Sequence, residues 1–99
     1  MGSTAKTGSE CALGVFNIMC DALRRHNRDP QNGGRPARRF VVHQWVFNEL
    51  CREISLQLDF ARYLQYADGV YRFMGTPILI DLKSEQAYLL GFNNETIFL

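Results

Sequence analysis

The sequence predicts an α+β fold in which two helices pack on a small antiparallel β-meander near the C-terminal end. Two observations predict this class: apolar residues recur at helical spacing in the first two thirds of the chain, and short apolar runs separated by Gly, Pro and Asn follow residue 69. The 99 residues suit one domain. We expect that domain over residues 10–99, after a flexible, polar N-terminal arm at 1–9.

A first helix is predicted from about residue 10 to residue 25. Ser9 suits the N-cap, and Glu10 suits the first turn, where the helix dipole favours an anion. The apolar residues at helical spacing are Ala12, Val15, Phe16, Met19 and Leu23.

Residues 26–37 are predicted to form an exposed loop, because turn-forming Asn, Asp, Gly and Pro dominate them and nothing there suits a core. A short strand is expected at 40–42, and a second helix begins near Trp45. Residues 55–66 fit a strand or a helix, and continuity with the preceding helix favours a helix to about residue 65. The apolar face of this helix comprises Val46, Phe47, Leu50, Cys51 and Ile54.

The β-meander follows a turn at Asp68 and Gly69. Gly75 permits a bend, Pro77 suits a strand start or an edge because it lacks a donor, and Asp81 is expected to cap the next turn. The predicted strands lie at residues 70–74, 78–80, 87–90 and 96–99.

Positive charge is concentrated between residues 24 and 39, where six arginines meet one aspartate for a net charge of +5. The whole chain carries only +1, so this segment is the natural place for a partner to bind. We expect a protein partner with an acidic surface. One alternative is that the segment binds nucleic acid. The simplest alternative is that it binds no partner and is a solvated loop whose arginine stems pack on the domain. The expected partner-binding residues are Arg24, Arg25, Arg28, Arg35, Arg38 and Arg39.

Nucleic-acid binding through this segment would draw on stacking aromatics as well as arginines. Trp45, Tyr63, Tyr66 and Tyr71 are the candidates, but none of them is interleaved with the arginines. The balanced overall charge also disfavours a dedicated nucleic-acid binder.

A catalytic role has one formal candidate, the set Cys51, His43 and Asp81. Cys51 falls on the predicted apolar helix face, where a free cysteine acts as a small hydrophobic residue. The two histidines and three cysteines lack the spacing of a metal site. We therefore expect no enzymatic activity, no cofactor and no metal.

The three cysteines are odd in number and lack paired spacing, which indicates free thiols in a reducing, cytoplasmic compartment. No apolar run reaches the ~18 residues that span a bilayer, so no membrane association is expected. The apolar residues 96–99 leave two alternatives open. They form an edge strand that pairs with a second copy in a homodimer, or a strand packed against the helices of the same protomer.

Two stretches carry a family resemblance. RFVVH at residues 39–43, followed by VFNEL at 46–50, resembles a strand–helix phrase of tailed-phage proteins. YRFMGTPILID at 71–81, followed by AYLLG at 87–91, resembles a segment of tailed-phage major capsid proteins and a Gly-x-Pro-Ile-x-x-Asp hairpin of small phage accessory proteins. The resemblance implies a phage or prophage accessory protein that acts in virion assembly or binds a host factor, in the host cytoplasm or on the virion.

Overall fold

The computed structural model describes residues 14–99, so the predicted arm, the Ser9 cap, the helix start at Glu10 and Cys11 lie outside the described residues. The helical elements are α1 (Gly14–Arg28), a short 3₁₀ turn (Pro30–Asn32), α2 (Gln44–Gln57) and α3 (Phe60–Tyr63). The strands are β1 (Arg39–Val42), β2 (Leu64–Ala67), β3 (Val70–Phe73), β4 (Thr76–Ile80), β5 (Tyr88–Leu90) and β6 (Thr96–Phe98).

The six strands form one sheet in the order β2-β3-β4-β1-β5-β6. All neighbouring pairs are antiparallel except β1 and β4, which run parallel. The α+β class is therefore confirmed. The C-terminal strands do not form an uninterrupted meander, because β1 lies between β4 and β5. Strand β1 bonds β4 along one edge and β5 along the other, and three of its four residues are buried, as in the central strand of a sheet.

The ambiguous region 55–66 contains both kinds of structure. Helix α2 ends at Gln57, where Leu58 adopts an extended backbone, and the single-turn helix α3 leads into β2. The predicted continuous helix to about residue 65 is therefore wrong: it breaks after residue 57, resumes for one turn at Phe60–Tyr63 and gives way to β2 at Leu64. Strand β2 forms because it pairs along its whole length with β3 around the turn at Asp68 and Gly69. Both turn residues have positive φ, which suits a two-residue hairpin.

The other predicted turns are confirmed. Met74 and Gly75 form the two-residue turn between β3 and β4, with φ of 50° and 89°. The Asp81 carboxylate accepts a hydrogen bond from the Lys83 N–H at 2.9 Å and so caps the turn after β4.

The core lies between the helices and one face of the sheet. Met19 and Ala22 of α1 and Leu50 and Ile54 of α2 are buried against Phe40, Phe73 and Leu89 of the sheet. The Phe73 ring makes edge contacts with Phe16 and Phe40, at centroid distances of 5.6 and 5.9 Å. The apolar faces predicted for α1, within the described residues, and for α2 are the faces that pack here.

The first described turn of α1 is held by a side chain from α2. The carboxylate of Glu53, only 1% exposed, accepts hydrogen bonds from the N–H groups of Val15 (3.1 Å) and Phe16 (2.9 Å). Helical first-turn amides otherwise lack partners, so this carboxylate fixes α1 on α2.

No helix within residues 14–99 combines the length and the apolar character that crossing a membrane requires.

Candidate functional site

The structure does not bring the formal catalytic set together, because Cys51 lies far from His43 although Asp81 bonds through its backbone N–H to Val42, next to His43. His43 caps the start of α2, where its Nδ1 accepts a hydrogen bond from the Trp45 N–H. Cys51 lies eight residues further on, about 12 Å along a helix axis, which is far beyond hydrogen-bond reach. Burial raises the pKa of the Cys51 thiol, so the thiolate needed for nucleophilic attack is disfavoured. The geometry therefore gives this set no means of acting together.

Metal binding has no cluster to support it among residues 14–99, where no group of three or more His, Cys, Asp and Glu side chains converges. Cys20 and Cys51 are free thiols. Cys20 contacts the thioether of Met74 at 3.8 Å, and burial raises the pKa of its thiol.

The six predicted arginines do not form one surface. Arg35 and Arg38 both lie over the Phe92 ring, with guanidinium carbons 4.7 and 5.5 Å from its centroid. Arg38 also donates from Nε to the Phe92 carbonyl oxygen at 3.0 Å. We call Arg35 and Arg38 the Phe92 arginines, and their contacts correspond to the alternative in which arginine side chains pack on the domain.

Buried polar residues beside the Phe92 arginines connect the loop to the turn between β5 and β6. His26 Nε2 accepts from the Phe92 N–H at 3.0 Å, and the Asn32 side-chain amide donates to the His26 carbonyl at 2.7 Å. Asn93 in turn donates to the Asn32 side-chain oxygen at 3.2 Å. Because His26 Nε2 accepts, its Nδ1 carries the proton and donates to Asn27 at 3.2 Å.

This network corrects the expectation that nothing in residues 26–37 is suited to a core. His26 and Asn32 are each 1% exposed, and Ala37 is also buried, although the rest of the segment is exposed. Helix α1 also continues to Arg28, three residues beyond the predicted end, and this extension places His26 on its inner side.

The three arginines of α1 line a groove of about 400 Å³ together with Ile18, Asp21 and Leu99. Arg24 pairs with Asp21, and Arg25 donates to the Phe98 carbonyl oxygen at 3.3 Å. Within residues 14–99, Arg28 makes no hydrogen bond or ion pair. We call Arg24, Arg25 and Arg28 the α1 arginine surface.

Arg39 belongs to neither group. Its neighbours Phe40 and Val42 enter the core, so the alternation of the strand places Arg39 on the sheet face opposite the helices, where it is exposed and paired in register with Leu90.

A larger and mainly apolar groove of about 590 Å³ adjoins the α1 arginine surface. Strands β1 and β6 both pair antiparallel with β5 and so point in the same direction, and the groove lies at the end of the sheet where these two strands finish. Large apolar side chains at this groove are unusually exposed, namely Trp45 (65%), Phe98 (56%) and Ile18 (46%). Ile18 and Leu99 line both grooves, so the apolar and basic surfaces are continuous.

The apolar groove was not predicted from the sequence. Its signal was weak: Ile18 falls outside the predicted apolar face of α1, and Trp45 precedes the apolar face of α2. An apolar residue off the buried face of a helix is common on surfaces and indicates a site only once its neighbours are known.

Strand β6 lies at the edge of the sheet, as the homodimer alternative requires. It has only three residues, and the Phe98 carbonyl already accepts a hydrogen bond from Arg25. Both features hinder pairing with a further strand. Ile97 and Leu99 pack against the core of the same protomer. These contacts favour the alternative in which the strand is packed against its own helices.

Comparisons with known proteins found no matching family model, no matching curated protein and no matching solved structure.

Proposed function

We propose that this protein is a non-enzymatic interaction protein that binds an acidic protein partner through the α1 arginine surface. The observation that carries the proposal is the exposed groove lined by Arg24, Arg25 and Arg28, which holds three positive charges against the single negative charge of Asp21. A guanidinium group suits paired hydrogen bonds to a carboxylate, and Arg28 has its donors free within residues 14–99.

An acidic protein fits this surface better than nucleic acid. The surface continues into an apolar groove rather than into further positive charge. Of the stacking candidates, Tyr66 and Tyr71 lie on β2 and β3, at the opposite edge of the sheet from β5 and β6, which neighbour α1. Trp45 is the candidate that lies near the α1 arginine surface, in the adjoining apolar groove. Nucleic-acid binding at this surface would have one tryptophan for stacking and would depend mainly on phosphate contacts, which Asp21 opposes.

A phage or prophage origin is part of the proposal and is supported by the resemblance of residues 39–50 and 71–91 to tailed-phage proteins. In that setting the acidic partner is a virion component or a host protein, met in the host cytoplasm or on the virion. The genes beside this one test the point: capsid and tail genes support virion assembly, and regulatory or defence genes support a host target.

The direct test compares two charge reversals at opposite edges of the sheet. Arg28→Glu changes the proposed surface, and Arg62→Glu changes an exposed arginine on α3, beside β2. Binding of a fluorescein-labelled peptide of alternating Glu and Ser is measured by anisotropy at ~50 mM salt, where charge contacts are strongest. We expect Arg28→Glu to weaken binding about tenfold and Arg62→Glu to leave it nearly unchanged.

Equal losses in the two variants would show that net charge alone attracts the peptide, and the assignment to α1 would be withdrawn. Random duplex and single-stranded DNA are titrated in parallel. If DNA binds more tightly than the peptide and loses affinity with Arg28→Glu, nucleic acid replaces the acidic protein as the proposed partner.

A further inference from the structure

One exposed face of α1 joins the two grooves. Ile18, Asp21, Arg25 and Arg28 follow one another at spacings of three, four and three residues, which places them on the same side of a helix. Ile18 lines the apolar groove, and Arg28 lines the basic groove. A chain lying along this face meets both surfaces.

The apolar groove has the features of a recognition pocket. Trp45, Phe98 and Ile18 expose large apolar areas, and the volume of about 590 Å³ accommodates bulky side chains. His43 also lines it, and since its Nδ1 accepts the Trp45 N–H, its Nε2 is left as a hydrogen-bond donor. Exposed tryptophan in such a pocket is typical of the residues that dominate binding energy.

We infer that the acidic partner inserts a bulky apolar side chain into this groove while its carboxylates meet the α1 arginine surface, an inference that rests on the proposed function. Charge selects this occupant. A second copy would present the same surface, on which three arginines outnumber the acidic Asp21 and Glu85 of the two grooves, whereas an acidic segment complements that positive charge.

The helix fixes the spacing of the recognised motif. Ile18 lies six residues before Arg24 and ten before Arg28, or about 9–15 Å along the axis of α1. An extended segment advances about 3.3 Å per residue. Its apolar residue and its acidic residues are therefore about three to five positions apart.

Trp45 is the single tryptophan of the chain and reports directly on the groove. The probe is a peptide with two leucines, a Ser-Gly-Ser spacer and a run of glutamates, made in both orders and labelled for anisotropy. One control peptide replaces the leucines with serine, and another replaces the glutamates with glutamine. We expect the probe to bind about tenfold more tightly than either control and to shift Trp45 emission to shorter wavelength.

Two protein variants locate the apolar contact. Ile18→Ser removes an exposed side chain from the groove, and Leu82→Ser removes one that is 70% exposed and does not line it. Ile18→Ser should remove most of the advantage that the leucines give, and Leu82→Ser should leave that advantage intact. Each variant is first checked for an unchanged unfolding midpoint.

The outcomes separate the two proposals. If leucine and serine peptides bind alike and Trp45 emission is unchanged, but Arg28→Glu still weakens binding, the groove inference fails and the acidic-partner function stands. If the leucine peptide shifts Trp45 emission yet binds equally well without glutamates and with Arg28→Glu, the acidic-partner function fails, together with the joint motif.

Discussion

Arg25 and Arg38 belong to the same basic stretch of sequence, but their guanidinium groups serve different surroundings. Arg38 lies over the Phe92 ring and donates to the Phe92 carbonyl, beside the buried network of His26 and Asn32. Arg25 makes one exposed contact with β6, and its neighbour Arg28 makes none within residues 14–99. Concentrated charge in a sequence therefore combines structural arginines with arginines that remain available to a partner.

The largest expected effect is on the network beneath the Phe92 arginines. His26→Ala removes a fully buried ring and leaves the Phe92 N–H without its acceptor. We expect a loss of about 2–4 kcal/mol in the free energy of unfolding, measured by urea denaturation. A loss well under 1 kcal/mol would show that the turn between β5 and β6 does not depend on this bond.

The next effect concerns the support of the α1 arginine surface. Glu53→Gln leaves one amide oxygen in place of the two carboxylate oxygens that accept hydrogen bonds from the Val15 and Phe16 N–H groups. We expect a loss of about 1–3 kcal/mol at neutral pH. Glu49→Gln, one turn away on the same helix, removes the pair with exposed Arg52 and the repulsion of Glu53, and should change stability less. Equal losses would indicate that α2, rather than the contact with α1, is affected.

Glu53 also makes the stability of the fold depend on pH. Burial raises the pKa of its carboxyl, with Glu49 adding to the rise and the Phe16 and Val15 N–H groups opposing it. A raised folded-state pKa gives stability that is present below the ordinary value of 4.5 and is lost as pH rises through the folded pKa. The stability advantage of the natural protein over Glu53→Gln should therefore grow as pH falls from neutral towards 4.5. An advantage that shrinks over this range would contradict the burial of the carboxylate.

A smaller effect is expected for Arg38→Gln, which removes the contact with the Phe92 ring and the hydrogen bond to its carbonyl. The expected loss is about 1–2 kcal/mol in the free energy of unfolding. Arg28→Gln is the matched change at the other group and should cost less than about 0.5 kcal/mol. If Arg28→Gln is as destabilising as Arg38→Gln, the two groups do not differ in structural role.

Much of the fold follows from local patterns in the sequence. The hairpin turns at Gly69 and Gly75 and the cap at Asp81 are predictable because short-range backbone preferences decide them. The position of β1 is not, since its parallel pairing with β4 joins residues far apart in the chain. The strand at Leu64–Ala67 was also missed, because pairing with β3 outweighs a helical pattern that continues from α2.

The site was predictable only in part. The sequence identifies the arginines, but it cannot assign them to two groups. Contact with the Phe92 ring distinguishes the groups, and Phe92 lies more than fifty residues further along the chain. The roles of His26 and Glu53 leave no local signal either. A histidine near a helix end and a glutamate among charged residues both suggest exposure, and only tertiary packing buries them.

Two double variants of equal charge test the central claim, that the α1 arginines bind while the Phe92 arginines hold the fold. Arg25→Gln with Arg28→Gln, and Arg35→Gln with Arg38→Gln, each remove two positive charges. Affinity for the labelled Glu-Ser peptide and the free energy of unfolding are measured for both. We predict that the first pair weakens binding about tenfold and costs less than about 1 kcal/mol of stability, while the second costs about 1–3 kcal/mol and changes affinity less than about twofold. Equal weakening of binding by the two pairs, or the reverse pattern, would contradict the account.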